Sequence, residues 1–217
     1  NQAKLGEICE VQDGTHSTPN YVDDGVPFFS VETITSGANP KFITSEEHEK
    51  LIKRCKPKKG DILVTRIGTL AKSKIIDWNY EFSIYVSLAL LSNIKINGNY
   101  LNQYIKTEYY QKDFLSKSLL LAVPQKINLK DLKETKIKFP SENEQEKIAS
   151  FLTTIDKKIE LLEKTLTLYK MLEKKVRRDI FNFKKENTVF KKYLLTIYHT
   201  MIFRREFESM PSISYKD

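Results

Sequence analysis

The chain has 217 residues, 40% hydrophobic and 11% aromatic, enough for one globular domain plus an extended element and too apolar for wholesale disorder. Lys and Arg outnumber Asp and Glu 36 to 28, so the net charge is +8 and a polyanionic partner is favoured. No run of about 18 apolar residues exists and the first twenty residues carry no signal-peptide pattern, which argues against membrane insertion and export. Cys9 and Cys55 have neither metal-ligand spacing nor the density of a disulfide scaffold, so a reducing cytoplasm fits. The chain opens on Asn1-Gln2-Ala3-Lys4 rather than Met, as a fragment or a trimmed chain does.

From Lys4 to Pro140, short apolar or alternating runs are separated by turn residues, the pattern of a mixed α+β domain with mostly strands. Strands are predicted over residues 5–11, 28–31, 61–66, 74–76, 84–91 and 135–139. Thr44, followed three residues later by Glu47, is a capping-box pattern that opens a short helix running to about residue 54. Residues 99–116 read as one longer helix, and Gly60-Asp61, Asn97-Gly98 and the neighbourhoods of Gly14 and Gly25 as turns. Between residues 50 and 74 nine basic residues (Lys50, Lys53, Arg54, Lys56, Lys58, Lys59, Arg66, Lys72, Lys74) face the single acid Asp61. This is either a solvated basic loop or a source of about six phosphate contacts.

At Pro140 the texture changes. Ser141 and Glu144 form a second capping box, and the next forty or so residues contain neither Gly nor Pro, so a long helix is expected over residues 141–183. Leu152, Ile159, Leu166 and Ile180 on one line, with Ile155, Leu162, Tyr169 and Val176 on the other, give a 3-4 spaced seam broken only by Glu173. Polar residues such as Lys157, Glu160, Glu163 and Lys164 fill the other faces, so a narrow seam buried against another helix is expected. Helical rise makes about 40 residues about 60 Å long, wider than a small domain, so the helix should project. Self-association of two chains as an antiparallel coiled coil is the economical solution; packing of the helix back on its own domain is the other. The organisation is thus a domain over 1–140, a long helix over 141–183 and a tail over 184–217 without a functional account. That tail holds an apolar stretch at 189–203, able to form a helix or strand or to dock on the coiled coil.

No catalytic arrangement emerges. His16, His48 and His199 are scattered, no Walker or G-x-G-x-x-G loop occurs, and Asp131 with Glu134-Thr135-Lys136 is a chance-level match to a nuclease site. The Asn/Asp-Pro-Pro-aromatic motif of amino-methyltransferases is also absent, so neither methyl transfer nor a metal site is assigned. Three loops instead carry side chains suited to nucleic acid. Asp13 to Tyr21 offers Thr15, His16, Ser17 and Thr18, unless Asp13 and Thr18 cap their own backbone in a self-bonded turn. Arg66 follows a predicted strand directly, placed either to read guanine with its planar fork or to form an intradomain ion pair; Thr69 and Lys72 share its loop. Gln125 and Lys126 form a third set, an amide able to pair with adenine beside a phosphate-binding lysine.

Lys4-Leu5-Gly6-Glu7-Ile8, Asp13-Gly14-Thr15-His16 to Pro19, Gly25-Val26-Pro27-Phe28, the run from Gly60 to Gly68 and Pro124-Gln125-Lys126-Ile127 resemble a target recognition domain. Phe139-Pro140 followed by the run Glu144-Gln145-Glu146-Lys147-Ile148-Ala149 to Ile155-Asp156 resembles the central conserved helix of the same family, the specificity subunit of type I restriction-modification systems. The resemblance spans roughly residues 4–183 and implies an α/β target recognition domain that reads double-stranded DNA. It further implies that complete subunits carry two such domains joined by paired helices, each domain reading half of a bipartite target. Methyltransferase subunits that bind S-adenosylmethionine, and a restriction subunit, would dock on this scaffold, with no cofactor in this chain. Only one recognition domain and one conserved helix are found here, which matches the unpaired seam and suggests a homodimer or the half of a longer subunit. The rival readings are a coiled-coil adaptor whose basic domain binds protein or RNA, and an endonuclease.

Overall fold

The computed structural model describes residues 1–182 together with Leu195, Thr196 and Tyr198, so most of the 184–217 tail lies outside the described residues. In chain order the elements are β1 (Gln2–Lys4), α1 (Leu5–Ile8), β2 (Glu10–Asp13), β3 (Tyr21–Val22), β4 (Val26–Phe29), α2 (Val31–Thr35), β5 (Lys41–Ile43), α3 (Ser45–Leu51), β6 (Ile62–Thr65), β7 (Ser73–Ile75), β8 (Ser83–Ile84), β9 (Leu88–Ser92), α4 (Gly98–Ile105), α5 (Glu108–Ser116), α6 (Leu129–Lys133), β10 (Lys136–Lys138) and α7 (Glu142–Asn182). Two compact units divide the chain, Asn1–Asp156 and Lys157–Asp217.

The first unit is organised around an antiparallel sheet in the order β2-β9-β6-β7. Its central strands β6 and β9 are buried on both faces, which is why they read as continuous aliphatic runs rather than as alternating ones. Alternate side chains point to opposite faces. Ile62, Val64, Ala89 and Leu91 enter one core with Leu5, Ile8, Leu101, Ile105, Tyr110 and Phe114. Leu63, Leu88 and Leu90 enter a second core with Phe29, Cys55, Ile76, Phe82 and Ile84. A second sheet, β3-β5-β4-β8, joins β4 to β8 in parallel, and β1 pairs with β10.

Three predicted elements differ in ways with a physical cause. The strand expected at 5–11 is α1 followed by β2, because Leu5 and Ile8 lie one helical turn apart and both bury, while Glu7 accepts a hydrogen bond from the Lys4 amide at 2.8 Å. The helix expected at 99–116 is two, because Thr107 accepts from the Tyr110 amide and so starts α5. The strand expected at 84–91 breaks at Tyr85-Val86-Ser87, where the Leu88 amide donates to the Tyr85 carbonyl and the chain passes from the second sheet to the first.

α7 opens as its sequence demands: the Ser141 amide and hydroxyl both donate to Glu144 Oε2, at 3.1 and 2.7 Å, holding the Glu144 carboxyl below its ordinary pKa. Buried Gln145 accepts from the Asn97 amide and donates to the Pro140 carbonyl, each at 3.0 Å. Asp156 accepts from Lys106 Nζ at 2.7 Å and Gln103 Nε2 at 2.8 Å, tying the helix to α4. Along the seam Ile155, Ile159, Leu162, Leu166 and Tyr169 are exposed, Leu152 and Val176 half-buried, and the Ile180 side chain lies outside the described residues. Phe151, Leu161, Leu168, Met171 and Leu172, off the expected seam, are exposed as well. Leu161, Leu168 and Leu172 form a second apolar line at 7-4 spacing, so the apolar arc is wider than one two-helix contact.

Candidate nucleic-acid interface

Strand register decides which loops meet. Asp13 at the end of β2 lies opposite Ala89, and Thr65 at the end of β6 lies opposite Leu88, so the chain leaves β2 and β6 at the same sheet end where it enters β9. The loops after β2 and β6 and the 85–87 turn are therefore neighbours. Backbone bonds bring in a fourth segment: the Gly68 amide donates to Gln125 O at 2.8 Å and the Ile127 amide to Arg66 O at 3.0 Å. The three loops singled out in the sequence thus share one end of the sheet.

A buried carboxylate organises this end. Asp13, 4% exposed, accepts from Arg66 Nη1 at 3.2 Å and from Arg54 Nη2 at 2.6 Å, with His16 Nε2 at 3.0 Å. Of the two roles open to Arg66, this structure shows the intradomain ion pair. Its guanidinium is buried and also donates to the carbonyls of Val86 at 2.9 Å and Ile127 at 3.2 Å, so it fastens three loops rather than facing solvent. Burial pulls its pKa below the ordinary value while Asp13 opposes that shift. One carboxylate faces two guanidinium groups, so the cluster keeps an excess of positive charge, presented outward by the half-exposed Arg54 side chain.

Gly14 lets the β2 loop cross the second sheet, because a Cβ there would lie 1.9 Å from Ile84 O. The Thr15 amide donates to Ile84 O and the Val86 amide to Thr15 O. The Thr15 hydroxyl is engaged within its own turn, accepting from the Ser17 amide and donating to the Ser17 carbonyl, both at 3.2 Å, whereas Asp13, expected to cap this turn in the self-bonded alternative, faces the two guanidinium groups. His16, Ser17 and Thr18 are exposed on that turn, as are Thr69, Lys72, Gln125 and Lys126 on theirs. Beside them lies a cleft of about 400 Å³ lined by Thr18, Tyr21, Phe28, Lys41, Tyr85 and Pro124 among others. Lys41 Nζ sits 4.3 Å from the Tyr21 ring centroid.

Two cations at this end, Arg54 and Lys41, lie outside the three loops singled out in the sequence. Arg54 stood in the basic run without a signal to separate it from its neighbours, and Lys41 reaches the site through β5 pairing with β3 and β4. Among the described residues no group of three or more His, Cys, Asp or Glu is arranged to hold a metal ion, and His48 is buried against Ser83 Oγ at 2.9 Å. No helix among the described residues is long and apolar enough to cross a membrane.

Residues 1–171 match the family described as type I restriction modification DNA specificity domain. The chain belongs to that family. Solved structures agree at the level of fold. The specificity domain matches the type I restriction-modification S subunit from M. genitalium with a TM-score of 0.62 at 18% identity, over 85% of this chain and 46% of that one. It matches a chain from a structure of the type I R-M system with a TM-score of 0.58 at 21% identity, over 81% of this chain and 43% of that one. With the HsdS subunit from Thermoanaerobacter tengcongensis the TM-score is 0.51 at 20% identity, over 76% and 39%. The specificity domain spans less than half the length of each of these chains. No curated protein sequence matches it.

Proposed function

We propose that this specificity domain reads one half of a bipartite duplex target and, through α7, pairs with a second helix that positions a second reader. The convergence of four loops at one end of the β2-β9-β6-β7 sheet, with Arg54, Lys72 and Lys126 facing outward, carries this reading. Lysines and arginine supply the sequence-independent attraction to phosphates, while Ser17, Thr18 and Gln125 carry hydrogen-bonding groups suited to base edges. Membership of a DNA specificity family favours this over a protein- or RNA-binding adaptor.

The chain contributes recognition and assembly and no catalytic group. Adenine methylation and cleavage belong to partner subunits, with S-adenosylmethionine held by the methyltransferase, and the complex works in the cytoplasm. An apolar arc wider than one seam suits a helix with two neighbours: a second long helix along Leu152 to Val176, and a methyltransferase subunit against Leu161, Leu168 and Leu172. The economical second helix is that of another copy, antiparallel, giving two identical readers and an inverted-repeat target. Selection from a randomised duplex library by the full chain with its methyltransferase tests this. Enrichment of two half-sites at fixed spacing is the expected result, and binding indifferent to sequence would refute it.

A further inference from the structure

The segment between α5 and α6 ends in a tip that the recognition chemistry above leaves unused. Leu121 and Val123 are fully exposed, and Leu119 and Leu120 nearly half exposed. Isolated exposed aliphatics are ordinary, but four within five residues at the apex of one loop form a patch. The loop is held at its base. The Leu119 amide donates to Lys126 O at 2.7 Å, the Ala122 amide to Leu119 O at 3.3 Å, and the Gly68 amide to Gln125 O at 2.8 Å. These bonds fix the tip to the loop after β6, beside exposed Thr69, Gln125 and Lys126.

Charge distinguishes the occupants. Lys117 is ion-paired with Asp113, but Lys126 and Lys130 are exposed and no Asp or Glu occurs between residues 114 and 130, so the apolar apex has cations at its base. A duplex offers what this combination needs: phosphates for the flanking lysines and stacked bases for the aliphatic apex. The tip also shares the sheet end with the residues proposed to meet DNA.

We infer that Leu121 and Val123 form an apolar wedge that inserts at a base step of the bound duplex, unstacking and bending it beside the half-site. The inference rests on the DNA-reading function proposed above. A wedge of this kind contributes to selectivity without hydrogen bonds, because flexible pyrimidine–purine steps open more easily than others.

The test uses the full chain with its methyltransferase, and duplexes enriched from a randomised library, each carrying 2-aminopurine at successive positions across the selected site. Fluorescence should rise at one step on binding. The Leu121→Ser, Val123→Ser double variant, altered only at exposed positions, should keep its thermal unfolding, abolish that rise, and bind about tenfold more weakly with an unchanged salt slope. Equal affinity without a position of raised fluorescence overturns the wedge. So does a variant that unstacks DNA normally but no longer retains the methyltransferase, which would make the tip a protein contact. If the wild-type complex enriches no sequence, the DNA-reading function itself fails, and that result is separate from either of these.

Discussion

Asp13 and Arg66 offer the sharpest test of how the recognition end is built. Their side chains are 4% and 8% exposed, and Arg66 has the Val86 and Ile127 carbonyls as its remaining acceptors. Removing one partner of a buried pair strands the other charge, at about 3–5 kcal/mol. The two surviving carbonyl bonds place Asp13→Leu near the lower end, about 3 kcal/mol. Arg66→Met should cost less, about 1–3 kcal/mol, because Arg54 still pairs with Asp13 and only the two carbonyls lose a donor. In the double variant the stranded charge disappears, so the two losses should fall short of additivity by at least about 1 kcal/mol. Urea unfolding of the full chain, followed by the single tryptophan, Trp78, which packs against the second core, measures all three. Were Arg66→Met to unfold within about 0.5 kcal/mol of the parent chain while losing sequence selectivity, the buried-pair argument would fail and Arg66 would be a base reader.

Arg54→Ala should weaken duplex binding and make the slope of log K against log salt about 0.9 less negative, as loss of one phosphate contact does; an unchanged slope in titrations at several salt concentrations would remove Arg54 from the interface. Gly14→Ala drives a Cβ into the Ile84 carbonyl and should cost about 2 kcal/mol or more in denaturant melts, with selectivity lost in the surviving folded fraction; full stability would show that the loop does not cross β8 as described. Burial pushes the Cys9 and Cys55 thiols up to about 12. At pH 8 their thiolate fraction should then be about 10⁻⁴, against about a quarter for an ordinary thiol, so iodoacetamide should label neither until denaturant is added, as read by mass spectrometry. Rapid labelling of the native chain would contradict their burial.

Much of this architecture is legible in the sequence because local signals coincide with tertiary ones. β6 and β9 announce themselves as aliphatic runs bounded by turn residues, and Ser141 with Glu144 marks the start of α7. Where local and tertiary signals diverge, the sequence misleads. Leu5, Cys9 and Val11 fit one face of an alternating strand, and only the core that Leu5 and Ile8 share with Leu132 and Ile137 favours the helical turn. Arg66 illustrates the limit for the site. Sequence places it at a strand end among basic residues, but its burial depends on Asp13, 53 positions away, and on carbonyls from two other loops. Lys41 and Arg54 reach the same end by sheet pairing and by the fold of the 52–61 connection, which no short-range pattern encodes. The wide apolar arc of α7 was hidden differently: Leu161, Leu168 and Leu172 lie off the 3-4 seam, so a search for one seam passes over them.

The central claim is that this specificity domain selects a half-site and that α7 pairs two such readers. Methylation mapping across the genome of cells carrying only this chain and its methyltransferase addresses both parts at once. The account predicts modification at a bipartite inverted repeat with a fixed spacer; modification at an asymmetric site would contradict the homodimer, and modification without a sequence preference would contradict recognition itself.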